Sequence, residues 1–398
     1  MRPTAAAVLG AALLLLVPAL LLGGCNGDSG GGGGAGAGAG KPAGGGAPSG
    51  PPVKIGVAGP ITGGQAKNGQ DLKEGTLLAV EEWNARGGVL GRPVEMVVRD
   101  DEADPKNAPA VARELVDAGV FAVIGHFNSG STIPASEIYH QSGVVTITPA
   151  STNTFVTDRK YPDVFRVCGR DDQQGRTAAD FIAGVLKARK VAVLDDRTAY
   201  GKGLADECAK GLQGRVEIAI REGFGKEERN FRPYLTKIRD AGVDVWYFGG
   251  IYEQAAPMLL QASQLGIKAP MMSGDGVHGY QADFIDKVGA AADGTLTTFP
   301  DTTKTPGYAA FTKAYRDRFK AEPGPYAIYT NAAAQILLEG VKAAGAAEGP
   351  KVAAAIHASS VDTPIGKVSF DEKGDVKVED YYSVWVIRGG KHVLYGGK

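Results

Sequence analysis

From Val53 onward, short apolar runs alternate with longer stretches in which apolar residues recur every three or four positions. "VKIGVAG" (53–59) predicts a strand, and Leu72, Thr76, Ala79, Val80 and Trp83 then share one helical face. "VEMVVRD" (94–100), "VFAVIG" (120–125) and "VVTITPA" (144–150) predict further strands. Between the first two of these the spacing predicts a helix from about Pro105 to Asp117, its proline suited to a first turn. The grammar then repeats in "KVAVLDD" (190–196), "VEIAIREG" (216–223), "VDVWYFGG" (243–250) and "APMMSGD" (269–275), with helices running to Leu212, Asp240 and Gly266. Runs of Val and Ile without polar alternation predict strands covered on both faces, hence parallel α/β architecture, built twice.

In such sheets ligands bind beyond the carboxyl ends of the strands. In the first half those ends carry small polar residues: His126 to Thr132, including Asn128 and Ser129, and "PASTNT" (149–154), including Ala150, Ser151 and Thr152. Hydroxyls and unpaired helix-start amides suit an anion. In the second half they carry "RTAYG" with Tyr200, "IYEQ" with Ile251 and Tyr252, and "GDGVHG" with Asp275. A carboxylate clamp on one lobe facing an ammonium clamp on the other is what a zwitterionic α-amino acid requires. The plainer alternatives are helix capping for Ser129, Ser131 and Thr152, a loop carboxylate for Asp275, packing for Tyr200 and Tyr252, and a structural His126.

The first 24 residues hold one charge, Arg2, before an apolar stretch from Ala5 to Leu22, which reads as a secretory signal. It ends in "LLGGC", so that Cys25 becomes the acylated first residue of a lipoprotein. The alternative is an uncleaved anchor, since about 18 apolar residues just span a bilayer, though Gly10 and Pro18 weaken that helix. Asn26 to Pro52, almost all Gly, Ala, Ser and Pro, cannot bury a core and reads as a tether with a reach of roughly 30 Å. Val53–Lys398 is long enough for two domains. A formal net charge of −1 indicates no basic surface for nucleic acid. Of three cysteines, Cys168 and Cys208 remain after acylation, either paired outside the cytoplasm or buried as separate thiols.

The chain resembles the leucine/isoleucine/valine-binding proteins of ABC transporters, the type I periplasmic binding fold. "GPITGGQAKNGQ", "NARGGVLGRPVEMVVRDDEADP", "VIGHFNSGSTIPASEIY", "TITPASTNT", "FRVCGRDDQQG", "DDRTAYGKGLAD", "YFGGIYEQ", "SGDGVHG" and "FDEKGDVK" carry the resemblance, in order, over nearly all of 53–398. It implies two doubly wound parallel-sheet lobes joined by three hinge crossings, near Cys168–Arg170, Thr298–Pro300 and Ser369–Asp371. The segments would be a signal (1–24), a tether (25–52), an N-terminal lobe (53–168 and 300–369) and a C-terminal lobe (169–299 and 370–398). Ser129, the Ala150 backbone and Thr152 would hold a ligand carboxylate, with Ser151 and Asn128 beside them. Asp275 would take the ammonium, Tyr200 would close over the site, and Ile251 would face the ligand side chain. Asn68 and Ile251 stand where better-known members place aromatics, and Asp275 where they place a glutamate. The implied protein is a monomeric, lipid-anchored extracytoplasmic receptor that closes on an amino acid and delivers it to a membrane permease, with no cofactor, metal or enzymatic activity. A same-fold receptor for an aromatic acid, amide or urea-like solute is the nearest alternative.

A secreted hydrolase is the alternative from another class, and the sequence lacks its marks. Ser129 is not in G-x-S-x-G, and the five histidines form no H-E-x-x-H. "GDGVHG" matches G-x-G-x-x-G but falls late in the second half, away from a first strand-turn-helix unit. "RDDEADP" (99–105) lacks calcium-loop spacing and reads as a solvated strand end.

Overall fold

The computed structural model describes residues 47–378 and 381–396, so the signal segment, Cys25 and most of the tether lie outside the described residues. In the first sheet β1 (Val53–Gly59) lies between β2 (Val94–Asp100) and β3 (Ala122–Gly125), and β4 (Val145–Thr148) and β5 (Val164–Arg166) extend the β3 side. All neighbours are parallel. The second sheet repeats the order: β6 (Lys190–Asp195) lies between β7 (Glu217–Gly223) and β8 (Val245–Gly249), followed by β9 (Met271–Ser273) and β10 (Leu296–Phe299). A short antiparallel pair, β11 (Val361–Thr363) and β12 (Gly366–Val368), stands apart from both sheets. The second sheet gains two antiparallel strands beyond β10, β13 (Ser383–Arg388) and β14 (Lys391–Leu394). The two α/β lobes read from the sequence are present, and the second sheet is mixed at one end.

The central strands β3, β4, β6 and β8 are buried almost throughout, Thr146 and Thr148 of β4 included. The edge strand β7 departs from that pattern. Its residues alternate between exposed and half-buried, with Ile218 and Ile220 turned inward, because one of its faces meets water. The helix expected from Pro105 starts instead at Ala108, and Pro109 occupies its first turn. Asp101 and Asp104 take the intervening amides, Ala103 N–H donating to Asp101 Oδ1 and Lys106 N–H to Asp104 Oδ1 (2.9 Å each), so the backbone turns before it coils. Within this strand end Asp101 is fully buried, whereas Glu102 and Pro105 are exposed.

The last residues assigned to the tether are attached to the lobe. Ser49 N–H donates to Gly91 O (2.9 Å), and Arg92 donates to the carbonyls of Pro51 and Pro52.

The chain leaves the first sheet after β5 and opens a helix of the second lobe at Asp171, then leaves the second sheet after β10. The third passage lies further along than Ser369–Asp371. Asp375 bridges in parallel to Arg166 at the end of β5, and Arg166 N–H donates to Gly374 O (2.9 Å), which keeps 371–376 on the first lobe. Cys168 and Cys208 are separate buried free thiols, so the alternative of a disulfide is excluded.

Candidate ligand-binding site

In each sheet the chain order reverses beside the first strand, between β1 and β3 and between β6 and β8, which opens a crevice at the carboxyl ends. The two crevices face one another across a cavity that leaves about 30 Å³ for water, room for roughly one or two molecules and well short of the roughly 300–1,000 Å³ of occupied small-molecule sites. Of the residues expected at the site, Asn128, Ser129, Ala150, Tyr200, Ile251 and Asp275 line it. Asn68, Phe127, Gly276, Tyr280 and Tyr326 complete the wall.

Beyond β3 the helix Ser129–Gln141 begins with Asn128 extended and no side chain capping it. Its first free amides, those of Ser129 and Gly130, therefore keep their donor capacity. The hydroxyls do not cap either: Ser129 Oγ accepts from Asn153 N–H (3.3 Å), while Ser131 Oγ and Thr152 Oγ1 are buried without a partner. Ser151 is a correction. Its hydroxyl bonds Thr132 Oγ1 (2.6 Å) and donates to Phe127 O (2.9 Å), so it is spent in stitching the two loops together and does not reach the cavity. His126 serves the same scaffold, with its ring held between Asp101 (2.6 Å) and Tyr139 (3.1 Å) and its carbonyl accepting from Thr132 and Thr148.

The opposite wall is acidic. Asp275 follows β9 and is 4% exposed; Tyr200 OH donates to its Oδ1 (2.8 Å) and Tyr326 OH to its Oδ2. Tyr200 is itself fixed by Gly276 N–H (2.9 Å). Burial raises the Asp275 carboxyl above the usual range, and the Tyr326 and Tyr200 hydroxyls pull it partly back. Behind it Asp171 opens the helix Asp171–Asp180, its N–H donating to Thr152 O (2.8 Å). Both Asp171 carboxylate oxygens and Gln174 Oε1 are buried without partners. Burial holds Asp171 well above the carboxylate range against the neighbouring Thr152 hydroxyl, and the charge of Asp275 adds to the rise.

Tyr326 reaches the cavity from the first lobe because buried Asp71 accepts the N–H groups of Gly324 (3.1 Å) and Tyr326 (3.3 Å). Gly75 lets the helices Ala66–Ala85 and Ala327–Ala344 approach closely: a Cβ there would stand 2.4 Å from Ala327 O. The lobes meet over the cavity. Tyr280 OH donates to Asn68 Oδ1 (2.6 Å), Tyr252 OH to Gly64 O (2.9 Å) and Asn153 Nδ2 to Ala199 O (2.7 Å). Tyr252 is thus a cross-lobe contact as well as a packing residue.

The profile of the periplasmic binding proteins matches residues 52–391. This chain belongs to that family. It is 42% identical to an amino acid binding protein of Pseudomonas aeruginosa, over 86% of this chain and 92% of the relative. A leucine-, isoleucine-, valine-, threonine- and alanine-binding protein of the same organism is 38% identical, over 83% of this chain and 88% of its own length. Among solved structures, the branched-chain amino acid transporter substrate binding protein of Streptococcus pneumoniae in complex with isoleucine superposes with a TM-score of 0.78 at 26% identity, over 86% of this chain and 98% of that one. The family resemblance read from the sequence holds, and family membership implies an extracytoplasmic location.

In this periplasmic binding protein an open cleft of about 790 Å³ continues outward from Asn128, Ser129, Tyr200 and Ile251. Its rim is charged on both lobes, with Asp104 and Lys106 on one and Arg197, Lys226 and Glu253 on the other. Phe127, Asp171, Tyr280 and Tyr326 had no assigned role in the sequence. Asp171 alone had a usable signal, standing in "GRDDQQG" at the first crossing.

Proposed function

We propose that this protein captures a single α-amino acid between its lobes, as the names of its relatives suggest, and delivers it to the permease of an ABC importer without chemical change. The observation that carries this reading is the facing of two opposite chemistries across one cavity between the lobes. On the cavity wall the helix-start amides, Ser129 Oγ and the Ala150 backbone suit a carboxylate, with Thr152 Oγ1 buried behind them, and Asp275 with Asp171 behind it suits an ammonium. Two buried carboxylates whose hydrogen-bonding neighbours are neutral groups are unfavourable until a cation joins them. Binding starts on one lobe, and the other closes on it. Ligand is expected to compact the protein in solution scattering and to raise its melting temperature, by about 2.7 kcal/mol of stabilisation at a hundredfold excess over Kd. A panel of L-amino acids none of which does either would overturn the reading.

The raised carboxyls set the pH dependence. A carboxylic acid whose folded pKa is raised must release its proton before it can pair with an ammonium. Affinity should therefore fall as pH drops through the raised values, which lie above 3.8. The free protein behaves oppositely: the stabilisation from these two groups is fullest at acid pH and is lost as pH rises through them. Binding measured from pH 7 to pH 4 with no change in affinity would contradict the role of both groups.

The "LLGGC" segment supports a lipid anchor at Cys25, with the glycine-rich stretch after it as tether. Cys25→Ser should move the protein from the membrane fraction to the soluble one. Wild-type protein with an unmodified N-terminus in the soluble fraction would defeat the anchor and leave the binding site untouched.

A further inference from the structure

The groups that clamp the two ends of a zwitterion account for only part of the cavity wall. What remains to face the ligand side chain is Phe127, Ile251 and the rings of Tyr280 and Tyr326 on the apolar side, and Asn68 and Asn128 on the polar side. The two amides are joined through Gln65: Asn128 Nδ2 donates to Gln65 Oε1 (2.8 Å), and Asn68 Nδ2 reaches the same oxygen at 3.4 Å. Asn68 is 2% exposed, and its Oδ1 is occupied by the Tyr280 hydroxyl. Asn128 Oδ1 is left buried with no hydrogen-bond partner, and its backbone position as helix cap makes no use of the side chain. A purely aliphatic ligand side chain would leave that oxygen unpaired and would press carbon against a weakly satisfied Asn68 amide.

We infer that the Gln65–Asn68–Asn128 amide cluster is a specificity element that selects, among α-amino acids, those whose uncharged side chain carries a hydrogen-bond donor, such as a hydroxyl or a primary amide. The inference rests on the amino-acid reading above and narrows it. A buried acceptor left unpaired costs enough to separate a matched from an unmatched ligand by roughly 5- to 150-fold. Shape cannot make that distinction between threonine and valine, which differ by a hydroxyl in place of a methyl, or between glutamine and methionine, which are close in length and bulk.

The test is calorimetric titration of the full chain with threonine, valine, glutamine and methionine. In at least one pair the polar member should bind the wild type at least fivefold more tightly, and Asn128→Leu should bring that ratio to one or invert it. Melting curves of the variant without ligand establish that it folds; if it does not, Asn68→Leu is read in the same way. Valine and methionine equalling or exceeding their partners on the wild type would overturn the specificity element while leaving amino-acid capture standing. An unchanged ratio in folded variants would overturn the assignment to these amides. Failure of every L-amino acid to bind would bring down the proposed function, and this inference with it.

Discussion

Replacing Asp275 by asparagine is expected to weaken amino-acid binding by roughly 30-fold to several-thousand-fold, the equivalent of about 2–5 kcal/mol. The substitution keeps the shape and removes the charge. Asp275 is buried, and both of its oxygens are already oriented by the hydroxyls of Tyr200 and Tyr326. The amide would leave a desolvated ammonium facing a neutral group, so most of the loss is the cost of an unpaired charge. Ser129→Ala should cost less, about 1.5–3 kcal/mol, since it removes one hydrogen bond to a charged group while the helix-start amides remain. Titration of both variants against the ligand of the wild type measures the difference. Near-wild-type affinity in Asp275→Asn would mean that the bound solute carries no ammonium.

The second large effect is on stability. Arg166 is fully buried, pairs with Asp375 (2.6 Å) and donates to the carbonyls of Ser151 and Asn153. Arg170 meets the other oxygen of Asp375 (2.6 Å), and Thr157 donates to both. This network holds together the end of β5, the loop after β4 and the segment before the last passage to the second lobe. Asp375→Asn would strand a buried guanidinium, and a loss of about 3–5 kcal/mol in unfolding free energy is expected. The exposed pair Arg99–Glu114 provides the contrast: Glu114→Gln should change stability by at most about 1 kcal/mol. Burial alone would raise the Asp375 carboxyl, but Arg166 and Arg170 outweigh it and hold it below the usual range. The folded pKa is depressed, so this stabilisation is complete above the unfolded value near 3.9 and is lost as pH falls through the folded one. Denaturant unfolding at pH 7 and below pH 4 checks both points. A loss under 1 kcal/mol at pH 7 would show that the network is not what holds the hinge.

The parallel strands were legible because burial on both faces favours apolar residues, as β1, β3, β6 and β8 show, whereas β4 buries Thr146 and Thr148 as well. β7 was legible as a strand but not as an edge, since Ile218 and Ile220 are separated by residues whose exposure depends on a neighbour that is absent. The polar residues at the strand ends were legible as a group, but their individual directions were not. Ser151 stands between Ala150 and Thr152 in the chain and turns away from the cavity because Phe127 O and Thr132 Oγ1 capture it. Tyr326 was illegible for a different reason: it comes from no strand end and is delivered by Asp71, more than 250 positions away in the chain. Asn68 was noted for replacing an aromatic, yet only its bond to Tyr280 and its link through Gln65 to Asn128 reveal a polar corner.

The central claim is that one cavity recognises both ends of a zwitterion, and paired ligands test it most directly. The full chain should be titrated calorimetrically with each L-amino acid it binds and with the matching carboxylic acid that lacks the α-amino group. One-to-one binding of the amino acid, with the deaminated partner weaker by at least 30-fold, is the predicted result. Equal binding of the two, or binding of the acid alone, would contradict it.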